Sequence, residues 1–426
     1  MRAGSPRMLR EINDRAAIEV LLREGPLTRA ELEVAIGLSK PATAQLLTRL
    51  ELDDLVVKDG VRGGGRGPRA QLWAANGRLA HVAAVDLTPH LADFVVADVA
   101  GAVLAEYQVP LPVHEGADVI GTFGNALSHV TKAGGLTPGE LANVVIGAQG
   151  AFDPRTGLLS SAPHIPGWLG FDVPGRLSDE LGIDVVIEND VNLVAVEEMT
   201  VGKATDVDDF VMVWLSEGVG GAVVIGRRLL RGATGGGGEI DWMRVPDPVK
   251  IDTGDQWPES GARFGNLVDS PAICRLAKAH GIIAETAWDA VEQAKAQGTH
   301  TFLDDLARRV AGGVASLVAV ADPQLVLLCG DTSRAGGEDF ADRVQAKLHE
   351  LVLPRTPVDV ASVQGNAVRA GALQSALATA REDVFGVVTP TLLGSRRPAV
   401  GSPSRTTSVA IPNTRLVPSP PEESDR

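Results

Sequence analysis

The sequence has few cysteines, few aromatic residues and no long apolar run. Only two of its 426 residues are cysteine, and 4% are aromatic. Two cysteines cannot build a disulfide framework or a four-thiolate zinc site, which favours a reducing compartment. The chain opens without a signal segment, and its most apolar stretch, residues 310–329, is interrupted by Asp322 and Pro323. These features predict a soluble, cytoplasmic protein with no membrane partner.

Acidic residues are in excess, but the charge is distributed unevenly. The formal net charge is -15, yet residues 1–75 contain 12 Lys and Arg against 10 Asp and Glu, whereas residues 76–426 contain 27 against 44. The total charge argues against nonspecific nucleic-acid binding by the whole chain. A nearly neutral segment with clustered arginines can still approach DNA phosphates while the acidic remainder is repelled.

Three helices are predicted at the start of the chain. Residues 7–23 carry an apolar stripe of helical period that stops at a Gly-Pro pair. Thr28 and Glu31 have the spacing of a capping box and begin a short second helix that ends at Gly37. Ser39 is a candidate N-cap for a third helix. A tight turn between the second and third helices is typical of a helix-turn-helix.

A strand, a Gly/Arg-rich tip and a returning strand follow the third helix. Residues 55–60 and 72–73 have strand character, and residues 63–69 form the tip between them. We therefore predict a winged helix-turn-helix DNA-binding domain over residues 1–75; a hairpin used in protein contacts and a plain surface helix are the alternatives. The expected DNA-binding residues are Ser39, Lys40, Thr43, Gln45, Arg62, Arg66 and Arg69.

The remainder of the chain alternates apolar strands with helices, which indicates an α/β protein. We predict a first lobe over residues 80–190 and a second lobe over residues 191–382, whose C-terminal helix returns to the first lobe. From about residue 390 the sequence is rich in Ser, Pro, Thr and Arg without periodicity. Residues 390–426 are therefore predicted to be a disordered tail.

Two groups of motifs occur in the predicted lobes. They are Gly-Ala-Phe-Asp-Pro-Arg-Thr-Gly (150–157), His-Ile-Pro-Gly-Trp (164–168), Ile-Glu-Asn-Asp-Val-Asn (187–192) and Gly-Ala-Thr-Gly-Gly-Gly-Gly-Glu-Ile (232–240). With these motifs the chain resembles, over residues 7–380, the ROK family of sugar-responsive repressors and sugar kinases. This resemblance implies a two-lobed α/β actin-like ATPase (ribonuclease H-like) sugar-kinase fold behind the α+β winged helix-turn-helix.

The resemblance also implies a ligand site. In the family's kinases the Asp of the Asn-Asp pair removes the proton of a sugar hydroxyl, and Asp190 has that position here. Asn189 and Asp190 could equally hold sugar hydroxyls without catalysis, with Glu239 as a second carboxylate and Trp242 stacking on the ligand. The alternative is that Asp190 caps the following helix and Glu239 is a solvated loop residue.

The phosphate-binding motifs of the family's kinases are altered. Their Asp-containing Gly-Gly-Thr loop is replaced by residues 86–89, in which Leu87 adds a side chain and Pro89 has no N–H to donate. Their Gly-Thr-Gly pattern is replaced by residues 216–218, which place the Glu217 carboxylate near the expected polyphosphate. These changes predict that the chain does not use ATP and is not an enzyme.

The zinc motif that many family members carry is altered as well. Trp242 stands where those members have a zinc-binding His, and residues 252–269 contain neither Cys nor His. The carboxylate expected after this loop falls on Val268 or, with a shifted alignment, on Asp269. Cys274 and Cys329 are expected to be core residues. We therefore predict no metal and no cofactor.

These observations predict a transcriptional regulator, of the repressor type, whose degenerate kinase-like body senses a small molecule and dimerises. The expected partners are double-stranded operator DNA, a sugar or sugar phosphate effector, and further copies of the chain in a homodimer or homotetramer. An active ATP-dependent sugar kinase with an accessory DNA-binding head is the main alternative. A third possibility is a regulator without a ligand, whose body only dimerises.

Overall fold

A computed structural model describes residues 6–63, 69–112, 114–153, 155–159, 165–246 and 261–387. The predicted tail, Arg66 in the hairpin tip and His164 lie outside these residues. In the described residues, no helix is long and apolar enough to cross a membrane.

The N-terminal region combines three helices with a small antiparallel sheet. Its elements are α1 (Pro6–Glu24), β1 (Leu27–Thr28), α2 (Arg29–Ile36), α3 (Lys40–Leu52), β2 (Val56–Arg62) and β3 (Ala70–Ala75). The sheet has the order β1-β3-β2. The predicted capping box is present, because the Thr28 hydroxyl accepts from the Glu31 N–H and the Glu31 carboxylate accepts from the Thr28 N–H. Ser39 occupies the N-cap position of α3, but its side chain makes no capping hydrogen bond.

A first five-stranded sheet follows, which we call the first sheet. Its elements and the helices between them are β4 (His81–Leu87), β5 (Ala92–Asp98), β6 (Val103–Val109), α4 (Val119–Ala133), β7 (Leu141–Ala148), α5 (Val173–Leu181) and β8 (Asp184–Asn189). The order is β6-β5-β4-β7-β8, with β4, β7 and β8 parallel. The apolar strands β4, β5 and β7 are buried because helices cover the sheet.

A second five-stranded sheet, the second sheet, has the order β11-β10-β9-β14-β15. Its strands are β9 (Phe210–Leu215), β10 (Val219–Ile225), β11 (Arg228–Leu229), β14 (Leu325–Cys329) and β15 (Val358–Val360). A short ribbon pairs β12 (Arg244–Val245) with β13 (Ala262–Arg263). The helices are α6 (Asp190–Val201), α7 (Phe264–Val268), α8 (Ser270–Ala279), α9 (Ala287–Gln297), α10 (His300–Ala321), α11 (Asp331–Leu351) and α12 (Ala367–Phe385).

Helix α12 joins the N-terminal helices to the first sheet. It packs on α6, β4 and β7, and the Asn143 amide of β7 donates to the Ala376 carbonyl at 3.1 Å. At its C-terminal end, Phe385 belongs to the same hydrophobic cluster as Ile18 and Leu21 of α1. The N-terminal helices therefore share one continuous core with the α/β body.

Candidate functional site

A cleft of about 320 Å³ opens between the two sheets, where the parallel strands end. Ligands of open α/β proteins bind at this edge, because the loops that follow the strands converge there. Asp86 is the penultimate residue of β4, Asp190 follows β8, Trp214 lies on β9, and Asp331 follows β14. The polar and aromatic lining residues are Asp86, Thr88, Gln149, Asp190, Glu198, Trp214, Asp331, Arg334 and Asn366.

Asp190 lies in this cleft, as the sequence predicted for a ligand-binding residue. The pKa of Asp190 is raised to about 6, mainly by burial. A hydrogen bond from the Val191 N–H opposes the shift, and the nearby carboxylates of Asp86 and Glu239 contribute to it. The Val191 N–H donates to Asp190 Oδ1 at 2.8 Å. The other carboxylate oxygen, Oδ2, is a candidate acceptor for a ligand hydroxyl.

Asp86 is the second buried carboxylate of the cleft, and the sequence had identified it only as part of an altered loop. Burial raises the pKa of Asp86 to about 6, against a hydrogen bond from Asn366 that lowers it. The Asn366 amide donates to Asp86 at 2.9 Å and to Asp93 at 3.1 Å, and Arg369 donates to Asp93 at 2.7 Å. The first turn of α12 is thereby attached to the first sheet at the cleft.

The Asn189 side chain makes its hydrogen bonds with backbone groups. Its Oδ1 caps α6 by accepting from the Asn192 N–H at 3.2 Å, and its Nδ2 donates to the Gly150 carbonyl at 3.2 Å. The alternative that Asp190 caps this helix is thus wrong, because α6 begins at Asp190 and Asn189 is the cap. Asn189 holds the loop at Gly150 beside the helix that carries Asp190.

Glu239 and Trp242, the other two predicted ligand-binding residues, are not among the residues that line the cleft. Glu239 is half-buried, and burial raises its pKa, followed by repulsion from Asp241; it lies close enough to Asp190 to affect its pKa. Trp242 is 61% exposed, and the Arg263 guanidinium stacks 3.7 Å from its ring centroid. Trp214, in contrast, borders the cleft. Among the described residues, the aromatic side chain at the cleft is therefore Trp214, which is not among the predicted ligand-binding residues.

Glu198 of α6 holds the loop that borders the other side of the cleft. Its carboxylate accepts from the backbone N–H groups of Ser362, Val363 and Lys203 at 2.6, 2.7 and 2.7 Å. Its side chain is fully buried. A buried carboxylate is tolerated because several N–H donors compensate its charge. No local sequence pattern reveals this role, since the loop is more than 160 residues away.

The turn after β4 has few free N–H donors. The Thr88 hydroxyl accepts from the N–H groups of His90 and Leu91 at 3.2 and 3.1 Å, and Pro89 has no N–H. Leu87 is buried, belongs to the core of the first sheet and also lines the cleft. Glu217 is exposed, and the carboxylate that borders the cleft on the second sheet is Asp331, which accepts from Ser216 and pairs with Arg334.

At the position that corresponds to the zinc motif of other family members, Asp241 forms an ion pair with Arg263 beside the exposed Trp242. Among the described residues no group of three or more His, Cys, Asp and Glu side chains could hold a metal. Residues 252–260 of the predicted loop lie outside the description. Cys329 is buried, and burial raises the pKa of its thiol well above the usual value.

The N-terminal surface carries most of the predicted DNA-binding residues. Ser39, Lys40, Gln45, Arg62 and Arg69 are exposed. Arg62 also forms an ion pair with Glu31.

Thr43, which was predicted to contact DNA, does not belong to this exposed surface. It has 0% exposure, because it faces the core under α3, where its hydroxyl donates to the Ser39 carbonyl at 3.2 Å. The prediction that Thr43 faces a groove of DNA is wrong. Thr48 is exposed one turn beyond Gln45. The helical spacing of three residues from Gln45 could have identified it.

Comparison with known proteins gives consistent matches. Residues 82–380 match the ROK family model. A xylose repressor from Caldicellulosiruptor bescii is 21% identical over 361 residues, covering 82% of this chain and 90% of the repressor.

Two solved structures have a similar fold. A ROK family transcriptional regulator, a homologue of the E. coli MLC protein, has a TM-score of 0.66 and 18% identity, covering 87% of this chain and 96% of its own. A ROK hexokinase from Thermus thermophilus has a TM-score of 0.57 and 25% identity, covering 69% of this chain and 96% of its own. The α/β body thus has neighbours with the actin-like sugar-kinase fold.

Proposed function

The chain belongs to the ROK family, and on that premise we propose that it is a DNA-binding repressor whose kinase-like body senses a ligand. The observation that carries this proposal is the extent of the matches. The solved regulator matches 87% of the chain and the hexokinase 69%, although each is covered to 96%. The difference is close to the share of residues 1–75, which precede the family match.

In this proposal residues 1–75 form a winged helix-turn-helix. Helix α3 presents Lys40, Gln45 and Thr48 to the major groove, and the β2–β3 hairpin follows it as the wing, with Arg69 directly before β3 on the side of the tip. A homodimer would place two such heads on a two-fold operator. Residues 80–190 and 191–382 are the two lobes that enclose the ligand cleft.

Loss of kinase activity follows from the turn after β4. A phosphate loop needs free backbone N–H groups, and here Thr88 occupies two of them while Pro89 offers none. The alternative of an active sugar kinase has one observation in its favour, because Asp190, the family's catalytic base position, lies in the cleft with a pKa raised to about 6.

The cleft favours a neutral or cationic polyol over a sugar phosphate. Four carboxylates border it, those of Asp86, Asp190, Glu198 and Asp331. Its basic residue Arg334 is paired with Asp331 at 3.3 Å. Carboxylates accept hydrogen bonds from hydroxyl groups, and Trp214 offers an aromatic surface to a sugar ring. A phosphate group would be repelled by the same carboxylates.

Helix α12 provides a physical connection between the cleft and the DNA-binding region. Its N-terminal end carries Asn366 at the cleft, and its C-terminal end packs against α1. Arg381 donates to the carbonyls of Val99 and Ala100 at 3.0 Å each, and the Val99 N–H donates to the Ala80 carbonyl in the segment that leads from the N-terminal region. A ligand that repositions Asn366 therefore acts on a 19-residue helix about 28 Å long.

Two assays test the proposed function together. The full-length protein is titrated against a library of duplexes to select an operator, and it is incubated with ATP and a panel of sugars to detect phosphate transfer. We expect selection of a sequence-specific, two-fold symmetric duplex and no sugar phosphorylation above the level of Asp190→Ala. Phosphorylation that Asp190→Ala abolishes, without selection of any duplex, would contradict the proposal and favour the kinase.

A further inference from the structure

A groove of about 350 Å³ lies between α1 and α3. Arg10 and Asn13 of α1 form one wall, and Gln45 and Arg49 of α3 form the other. Apolar side chains of Leu38, Ala42 and Leu46 make the floor. The groove thus combines a small apolar base with donors from two helices.

Arg10 is the unpaired cation of this groove. Elsewhere on α1, Arg7 pairs with Glu11 at 2.9 Å and Arg23 with Glu24 at 2.8 Å. Arg10 is exposed and has no ion-pair or hydrogen-bond partner among the described residues. Arg49 pairs with Asp14 at 2.6 Å through Nη2, and its buried Nε has no hydrogen-bond partner in the described structure. The exposed guanidinium of Arg10 and the ion-paired guanidinium of Arg49 therefore line the same groove.

The groove borders the face of α3 proposed to contact DNA. Gln45 lines the groove and is exposed on α3 beside Thr48. If Gln45 contacts base edges of a duplex, the phosphate backbone beside those bases lies within reach of the groove. Contacts of this kind are expected, because most protein–DNA hydrogen bonds go to the backbone. Arg49 and Arg10 have the donors that a phosphate oxygen requires.

We propose that the α1–α3 groove holds a phosphate group of the DNA backbone, with Arg10 and Asn13 as donors and Arg49 supplying charge from the opposite wall. The inference rests on the proposed DNA-binding function and adds α1 to the contact surface. The contact positions the duplex and carries no sequence information, because phosphate groups are the same at every base pair. It fixes how deeply α3 enters the major groove.

The test measures dissociation constants of the full-length protein for its selected operator and for a scrambled duplex over a range of salt concentrations. We expect Arg10→Ala to weaken binding to both duplexes by the same factor, roughly tenfold at low salt. The slope of log affinity against log salt should fall by about 0.9, the value for one phosphate contact. Arg10→Lys should retain the slope, and Arg7→Ala, which removes a paired arginine of the same helix, should leave both quantities unchanged.

Three outcomes would overturn the inference. The first is an Arg10→Ala protein with wild-type affinity and slope, while the wild type binds its operator; this leaves the proposed function intact. The second is a loss confined to the operator, which would make Arg10 a base contact. The third is an Arg10→Ala protein whose oligomeric state, measured by sedimentation, differs from that of wild type, while the affinity of each DNA-binding domain for DNA is unchanged. This result would assign the groove to a second copy of the chain, joined through the neighbouring exposed Met8, Leu9 and Ile12. If wild type binds no duplex, both proposals fall.

Discussion

Asp86 and Asp190 approach one cleft from two strand ends, and each has a pKa raised to about 6, mainly by burial. In the unfolded chain an aspartate titrates near 3.9, so between about pH 4 and pH 6 the native state binds more protons than the unfolded state. Stability therefore falls as the pH rises through this window. The carboxylates of the cleft cost stability at neutral pH, as is common where a site is adapted to bind a ligand.

Asp190→Asn should remove the loss of stability that the buried Asp190 carboxylate causes at neutral pH. At pH 7 we expect the variant to be more stable than wild type by on the order of 2 kcal/mol. At pH 4 the difference should be much smaller, because the wild-type group is then protonated in the native state and about half protonated in the unfolded state. Urea denaturation from pH 4 to pH 8 measures the difference. Asp179→Asn, a change on the exposed face of α5, is the matched control. An equal gain at pH 4 and pH 7 would exclude titration of Asp190 as the cause.

Single residues were predicted well where their role is local. The Thr28 capping box is set by residues three positions apart, and the structure contains it. Thr43 was misassigned because spacing along α3 shows which residues share a face but not which face is covered. Trp214 was missed at the cleft for a different reason. Its strand is recognisable, but its position there depends on how the second sheet meets the first.

At the scale of elements, α12 depends on glycine at its crossing with α6. A Cβ added to Gly371 would lie 1.9 Å from the Leu193 carbonyl oxygen, so Gly371→Ala would force the helices apart. We expect a loss of about 1–3 kcal/mol in the free energy of unfolding. Gly312→Ala in α10 is the opposite case, because no atom lies within 4 Å of the added methyl group. It should gain about 0.4–1 kcal/mol.

Chemical denaturation of both glycine variants distinguishes packing from helix propensity. Each change adds the same methyl group to the interior of a helix, so propensity alone predicts a gain at both positions. Opposite signs would identify the α6–α12 contact as the cause of the loss. A gain in stability for Gly371→Ala as well would mean that α6 and α12 can separate at little cost. Helix α12 would then be a poor mechanical connection between the cleft and the N-terminal region.

Most helices and strands of the fold could be predicted from apolar periodicity and turn residues, as at β4 and α4. The two-residue strand β1, which pairs Leu27 with Trp73, was missed because so short a run has no period. The attachment of α12 to the cleft could not be predicted from the sequence either. It depends on Asn366 meeting Asp86 across 280 residues of sequence, and only the packed fold brings them together.

At the scale of the whole molecule, the proposed sensing site and DNA-binding surface are distant but lie on one continuous core. Ala17 and Ile18 of α1 and Ala376 and Phe385 of α12 belong to the same buried cluster as Val145 of the first sheet. A shared core of this kind transmits displacement, because close-packed interiors resist compression. In the proposed function, the acidic body would confine DNA contact to the N-terminal region, where the charge is nearly balanced.

The last prediction concerns coupling between the cleft and the operator. A thermal-shift screen of neutral and amino-bearing polyols should identify a ligand, since binding at 100 times its Kd adds about 2.7 kcal/mol of stability. That ligand should change operator affinity by roughly 5- to 150-fold in wild type, corresponding to a coupling free energy of about 1–3 kcal/mol, and operator DNA must change ligand affinity by the same factor. Asp190→Ala should lose both effects, whereas Asp179→Ala should retain them. A ligand that stabilises the protein and shifts operator affinity equally in wild type and Asp190→Ala would place the sensing site elsewhere, because coupling through the cleft requires the ligand to contact a residue that borders it.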